Sequence, residues 1–363
     1  MTALGDEIAT AIEREGPLRL DRYMTLCLQH PRYGYYMTHD PFGALGDFIT
    51  APEISQMFGE MIGLWLADAW SLCGAPQQAR LVELGPGRGT LMTDVLRALR
   101  VAPGLSERLA VDLVETSPAL RQVQRETLAG ETIPIEWRDT LAEAPRGPLF
   151  LIANEFFDAL PVRQFVRTAP GWRERVVGLN RERRLAFGLA PGVEPDLPLN
   201  APLHAMIEIS PVGQNVMAEI AQRIASDGGA ALIIDYGYTK TTLGESLQAV
   251  SRHAYVDPLT TPGEADLTAH VDFAALARAA RAEGAKVLGP TTQGRFLTQI
   301  GIERRAAALR GRANDRQKAD IDSALHRLTG SGDPREVMGD LFKVMAVTHP
   351  DMPDPPGFAE IES

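Results

Sequence analysis

Residues 80–92, RLVELGPGRGTLM, decide the fold of this 363-residue chain. An apolar run closes at Glu83 and Leu84, and glycines follow at alternate positions, Gly85, Gly87 and Gly89. An apolar-periodic segment resumes at Thr90. That order predicts a buried strand, a tight turn and a helix. The same alternation continues outward. LAVDLVE (109–115), IPIEWRD (133–139), PLFLIANE (148–155) and GGAALIIDYGY (228–238) read as strands. PALRQVQRETLA (118–129) and PVGQNVMAEIAQRIAS (211–226) read as helices between them. Such alternation predicts an α/β fold: a mostly parallel sheet, helices on both faces, and a ligand at the carboxyl ends of the strands.

The flanks have a different texture. Residues 1–30 read as two helices, followed by an aromatic, Gly-rich loop and a strong helix from about Ser55 to Cys73. Residues 161–205 read as a small antiparallel meander. The expected division is therefore a helical region and lid over 1–74, the α/β domain over 75–363, and a β-rich substrate insertion at 161–205. Towards the end, 285–301 reads as a strand and loop, 303–329 as an Arg-rich helix or helix pair, and LFKVMAVTH (341–349) as a last strand. Net charge is 36 − 47 = −11, which argues against a nucleic-acid partner. Cys27 and Cys73 provide no disulfide framework or metal cluster. No apolar run approaches the ~18 residues of a membrane span. The acidic start MTALGDEIATAIEREG is unlike a targeting peptide, so a cytoplasmic location is expected.

A glycine loop alone is weak evidence for a ligand. A phosphate-binding loop would end in Gly-Lys-Ser/Thr, and this one has no lysine. A dinucleotide loop would place its third glycine at position 90, which is Thr90. The pattern acid-x-Gly-x-Gly-x-Gly, with Glu83 leading and Pro86 inside, resembles motif I of class I S-adenosylmethionine-dependent methyltransferases. The chemistry agrees. That cofactor carries an ammonium for Glu83, and a ribose diol that a strand-end acid accepts, as in dinucleotide folds. AVDLVETSP (110–118) supplies Glu115 with Thr116 and Ser117 beside it. Asp139 and Thr140, after the third strand, stand where an adenine amino group would be met. One acid at a strand end is ordinarily a solvated residue; acids after three successive strands, beside a glycine loop, form a pattern.

The segments GDFITAPEISQMFGE (46–60), VELGPGRGTLM (82–92), VETSP (114–118), NEFFDALPV (154–162) and DLTAHVDF (266–273) resemble the MidA-type methyltransferases. That family includes the mitochondrial assembly-factor methyltransferase of respiratory complex I. The resemblance runs from about Ile8 to Val347. It implies a protein arginine methyltransferase that forms symmetric dimethylarginine on a quinone-module subunit of complex I; a homodimer is left open.

The fourth strand ends in Asn154-Glu155-Phe156-Phe157, a partial match to the Asn-x-x-aromatic motif of enzymes that methylate planar nitrogens, without its two prolines. A guanidinium is planar, cationic and protonated at neutral pH, so it asks for carboxylates that align it and accept its proton. Glu155 and Asp158 are the candidate pair, with Asn154 as an acceptor and Phe156 and Phe157 as stacking surfaces; alternatively, Asp158 caps the next turn. Asp235 and Tyr236, ending the fifth strand, either line the substrate channel or form a turn. His270 and Asp272 read better as part of an N-capped helix start over 266–273 than as a catalytic group, and the role of His253 is open. PRYGYY (31–36) and GDFITAPE (46–53) fit an aromatic lid, and Tyr33, Tyr35 and Tyr36 fit simple packing equally well. Arg304, Arg305, Arg310, Arg312 and Arg316 read as a solvated helix face. Two other functions stay open: methylation of another planar nitrogen, in a small molecule or glutamine, and a non-catalytic, cofactor-binding assembly chaperone.

Overall fold

The computed structural model describes residues 2–38, 50–197, 200–333 and 336–359. The chain divides into two compact units, each built from separate stretches of sequence. The larger comprises Ile49–Phe157, Val216–Thr239 and Phe273–Ser363. Its sheet carries seven of the strands in the order Lys286–Thr292, Phe342–Thr348, Gly229–Tyr238, Leu149–Asn154, Ala79–Leu84, Leu109–Val114, Ile135–Arg138. Phe342–Thr348 alone runs against its neighbours; the other pairings given by register are parallel. The expected mostly parallel sheet is present.

Strand order reverses around Ala79–Leu84, which pairs on one side with the next strand in sequence and on the other with Leu149–Asn154. A reversal of this kind opens a crevice at the carboxyl ends of the strands. The registers Leu84 to Val114 and Leu84 to Ala153 bring three strand ends level there. The strands are apolar on both faces, as helix-covered parallel strands must be; Leu149–Ala153 are buried throughout.

One face is covered by the helices Gln56–Leu72 and Thr90–Leu99, which share a buried apolar core with the sheet. Their approach depends on Gly59 and Gly63, one helical turn apart. A methyl carbon at Gly59 would lie 2.4 Å from Asp94 Cβ, and one at Gly63 would lie 2.7 Å from Ala98 Cβ. The helix was expected to group with the N-terminal region over 1–74. It belongs instead to the sheet unit, because its apolar face has no other core to enter.

Glu60 on the same helix is buried and accepts from Arg305 Nε at 2.7 Å and Nη2 at 3.0 Å. Arg305 is therefore not part of a solvated face, as its sequence context had indicated. Two further expectations change. The segment after Lys286–Thr292 is a helix, Gln293–Ile300, capped by Thr292, rather than a loop. Asp266–Thr268 and Val271–Asp272 are short strands, and the helix expected to start among them begins at Phe273.

The second unit comprises Met1–Phe48, Asp158–Asn215 and Lys240–Asp272. The expected meander is there as Arg163–Thr168, Gly171–Leu179 and Leu185–Leu189, joined by Met206–Ile209 and by Leu18–Arg19 from the N-terminus. It is thus larger than 161–205. Helices Ala3–Glu15 and Leu20–Gln29 share one core with it, through Leu4, Ile8, Tyr23, Val162 and Val177. Tyr35 is buried in that core and Tyr36 donates to Asp266 Oδ1 at 2.8 Å, which is packing. Of the other suggested lid stretch, GDFITAPE (46–53), residues 46–49 lie outside the described residues, and Ala51–Ile54 is a short helix of the larger unit.

Gly63→Leu is expected to destabilise the chain by about 2–3 kcal/mol, since the facing helix backbone, with Val95 O 2.8 Å from the added carbon, cannot yield cheaply. Equilibrium denaturation checks this; an unchanged midpoint would show that the two helices are not held at this distance.

Candidate functional site

The glycine turn follows Ala79–Leu84 directly. Gly85, Gly87 and Gly89 all have positive φ, at 62°, 53° and 83°. Gly85 also has Phe156 against it: an added Cβ would lie 3.0 Å from the ring edge. Any side chain there meets both backbone strain and that ring. Pro86 is buried, and its carbonyl accepts the Gly89 N–H at 2.8 Å, closing the turn into helix Thr90–Leu99. Glu83 is 2 % exposed, and its Oε2 has no hydrogen-bond partner among the described residues. Burial pushes its carboxyl up to about 8. A buried, unpartnered carboxylate at the switch point suits a cationic ligand.

Glu115 follows Leu109–Val114 and is buried, which raises its carboxyl above the usual range. Its Oε1 accepts the Ser117 N–H at 2.7 Å, and its Oε2 accepts from Gln124 Nε2 at 3.3 Å. Each oxygen keeps capacity for a hydroxyl donor. Ser117 itself is fully buried and its hydroxyl caps helix Pro118–Thr127, so its side chain serves the fold. Thr116, Asp139 and Thr140 are exposed. Arg121 joins two of these positions, donating to Glu115 O at 2.6 Å and to Asp139 Oδ1 at 2.5 Å. Arg121 and Gln124 escape a reading of motifs because they sit mid-helix, on segments that look like ordinary amphipathic cover.

Leu149–Asn154 delivers the next group. Glu155 has φ 52°, a left-handed conformation that costs a non-glycine residue roughly 1–3 kcal/mol. It is held there by its N–H on Ile234 O at 2.9 Å. Its Oε1 accepts from Asn154 Nδ2 at 3.2 Å and from the Ala51 N–H at 3.4 Å. Asn154 Oδ1 is buried without a partner among the described residues. Phe156 and Phe157 meet edge to face, with centroids 5.4 Å apart, and Phe157 is buried.

Two candidate substrate contacts take other places. Asp235 is fully buried, its Oδ2 accepting the Phe157 N–H and its Oδ1 the Tyr236 N–H, both at 2.9 Å. It anchors the Asn154–Phe157 turn. Tyr236 is 9 % exposed and packs on Phe342. Asp158 belongs to the second unit, where it is buried and its carbonyl accepts the Ala269 N–H at 2.9 Å. His253 is exposed, while His270 donates its N–H to Ser246 Oγ at 2.8 Å; both lie in that unit.

The edge thus gathers Glu83, the glycine turn, Glu115, Asn154 and Glu155 within one unit. Because the Glu83 pKa is raised on folding, its stabilising contribution is full below about 4.5, the unfolded value, and is lost as pH rises to about 8. Glu83→Gln should therefore make the ligand-free protein progressively more stable than the parent across that window, by at most about 5 kcal/mol. Denaturation at several pH values checks it; a difference that does not change with pH would place the carboxylate in contact with water.

Comparison with known proteins agrees with this geometry. Residues 61–291 match a family described as putative S-adenosyl-L-methionine-dependent methyltransferases. A rat protein named protein arginine methyltransferase NDUFAF7, mitochondrial, is 40% identical over 330 residues, covering 84% of this chain and 75% of its own. The zebrafish (Danio rerio) protein of the same name is 36% identical over 366 residues, covering 94% and 85%. A crystal structure from Burkholderia thailandensis with bound S-adenosyl-homocysteine superimposes with a TM-score of 0.83 at 28% identity, covering 99% of this chain and 93% of that one. The mitochondrial names overturn the cytoplasmic expectation, which rested on the acidity of one short segment. The chain belongs to this family of S-adenosyl-L-methionine-dependent methyltransferases, with a class I α/β sheet and that molecule as its cofactor.

Proposed function

We propose that this methyltransferase acts on arginine in a protein, and that Glu155 holds the substrate guanidinium. The observation that carries the reading is the strained strand end: a non-glycine residue at φ 52° whose carboxylate is fixed by Asn154 and the Ala51 N–H. Beside it, Asn154 Oδ1 is a second buried acceptor. Two neighbouring acceptors favour a planar, donor-only cation, and guanidinium has five N–H donors and no acceptor. The relatives' names, protein arginine methyltransferase, support the same substrate class.

Bound S-adenosylmethionine supplies an electrophilic methyl group. Glu83 would hold its ammonium, Glu115 its ribose hydroxyls, and Asp139 with Thr140 its adenine edge, around the turn of Gly85, Pro86, Gly87 and Gly89. Glu155 aligns the guanidinium and takes the one proton that the nitrogen sheds as it gains the methyl group, so no dication forms and the methylated product stays a guanidinium cation. Phe156, set against Gly85, offers a face for the guanidinium plane. Asp235 keeps this turn in register by accepting two backbone N–H groups. Symmetric dimethylation, and a quinone-module subunit of complex I as the acceptor protein, remain the finer part of the proposal and rest on the resemblance of sequence motifs.

Glu155→Gln keeps size and some hydrogen bonding but neither neutralises arginine nor accepts its proton. Single-turnover methylation of the quinone-module subunit, or of its arginine peptide, should slow by ~10²-fold or more. Cofactor affinity by calorimetry should stay within a few-fold. A wild-type rate would remove Glu155 from the chemistry; a lost cofactor would move it to the cofactor pocket.

A further inference from the structure

Gln124 is fully buried in the middle of helix Pro118–Thr127, where a polar side chain needs a reason. Its amide makes three contacts, each to a different element. Nε2 donates to Gly87 O at 2.7 Å and to Glu115 Oε2 at 3.3 Å, while Oε1 accepts from Trp137 Nε1 at 2.9 Å. An indole N–H can only donate, so the oxygen must face Trp137 and the NH₂ must face the glycine turn and Glu115. The amide therefore cannot flip without leaving a buried donor facing a donor. Arg125 lies over the Trp137 ring, 4.8 Å from its centroid, so the indole is held at its face as well as at its Nε1 edge. One side chain so ties together the turn after the first strand of the α/β run, the acid after the second, and the third strand itself.

We infer that Gln124 is a positioning residue that orients the Glu115 carboxylate toward the ribose hydroxyls of the cofactor. The inference rests on the reading of Glu115 as the ribose acceptor. One Nε2 hydrogen occupies the Oε2 lone pair on the helix side, and the Ser117 N–H occupies one on Oε1. The carboxylate is thereby held in one rotamer, with its remaining lone pairs set for a diol. Without the amide, Glu115 has other rotamers open to it and must be ordered each time the cofactor binds. Gly87 O would also lose its buried donor, loosening the glycine turn.

The test is calorimetric titration of the full chain with S-adenosyl-homocysteine and with its 2′-deoxyribose analogue. The parent protein should prefer the ribose form by about tenfold or more, the loss for one hydrogen bond to a charged group. Gln124→Met, similar in size but without donors, should cut that preference to within about threefold, because a Glu115 held only through Oε1 no longer has Oε2 fixed for the second hydroxyl. A merely structural role would weaken both ligands alike and leave their ratio unchanged. Trp137→Phe keeps the ring under Arg125 but releases the amide oxygen; it should lower the ratio to an intermediate value, and it serves if Gln124→Met does not fold. Glu115→Gln is the control and should also lose the preference. If Glu115→Gln loses it while Gln124→Met and Trp137→Phe keep it in full, the positioning role is overturned and the ribose reading stands. If Glu115→Gln keeps the preference, both fall together.

Discussion

The parallel register between Ala79–Leu84 and Leu149–Asn154 is the constraint on which the site depends. Leu84 lies level with Ala153, so the glycine turn and the Asn154–Phe157 turn leave the sheet side by side. Strands bonded to neighbours on both sides cannot slip by one residue without breaking both hydrogen-bond ladders and repacking a close-packed core on both faces. Everything at the edge inherits that rigidity. Phe156 can stand against Gly85 only because both turns start from the same level and because position 85 has no side chain.

Rigidity at the edge permits local conformations that would otherwise relax. Glu155 is held at φ 52° by the ladder hydrogen bond to Ile234 behind it and by Asp235, which grips Phe157 and Tyr236 ahead. Glu83 is kept dry enough that burial raises its pKa to about 8. A sheet with helices on both faces can carry such costs, because the buried core beneath it is large. The polar groups near the cofactor are arranged in the same way. Gln124 and Arg121 are helix residues whose partners come from loops, so the loops are ordered from behind before any ligand arrives.

The two units draw on the chain in alternating pieces, and one of the boundaries falls between Phe157 and Asp158. Glu155 belongs to the rigid sheet edge, whereas Asp158 takes its hydrogen bond from Ala269 in the second unit. The N-terminal helices join the β-rich stretch rather than the long helix that follows them, since Leu4, Ile8 and Tyr23 find their apolar partners at Val162 and Val177. Apolar faces choose partners by shape and area, not by nearness in sequence.

Local order was legible in the sequence. The alternation of apolar runs with 3.6-periodic segments determined the strands, the helices and the parallel sheet, because each period allows one way to bury a face. Glycines at alternate positions after Glu83 determined a turn open to a ligand, and strand ends at Glu115 and Asn154 marked its edge. Tertiary structure decided what spacing cannot express. Asp235 reads from the sequence as a strand end like Glu115, yet it lies inside Gly229–Tyr238, fully buried, and anchors backbone N–H groups. Arg305 looks solvated in its helix and is tied to Glu60, 245 residues away. Gln124 carries no motif and acquires its role only when three elements converge on one amide. A hydrogen bond depends on which groups meet in space, and for side chains far apart in sequence only the packed fold sets that meeting.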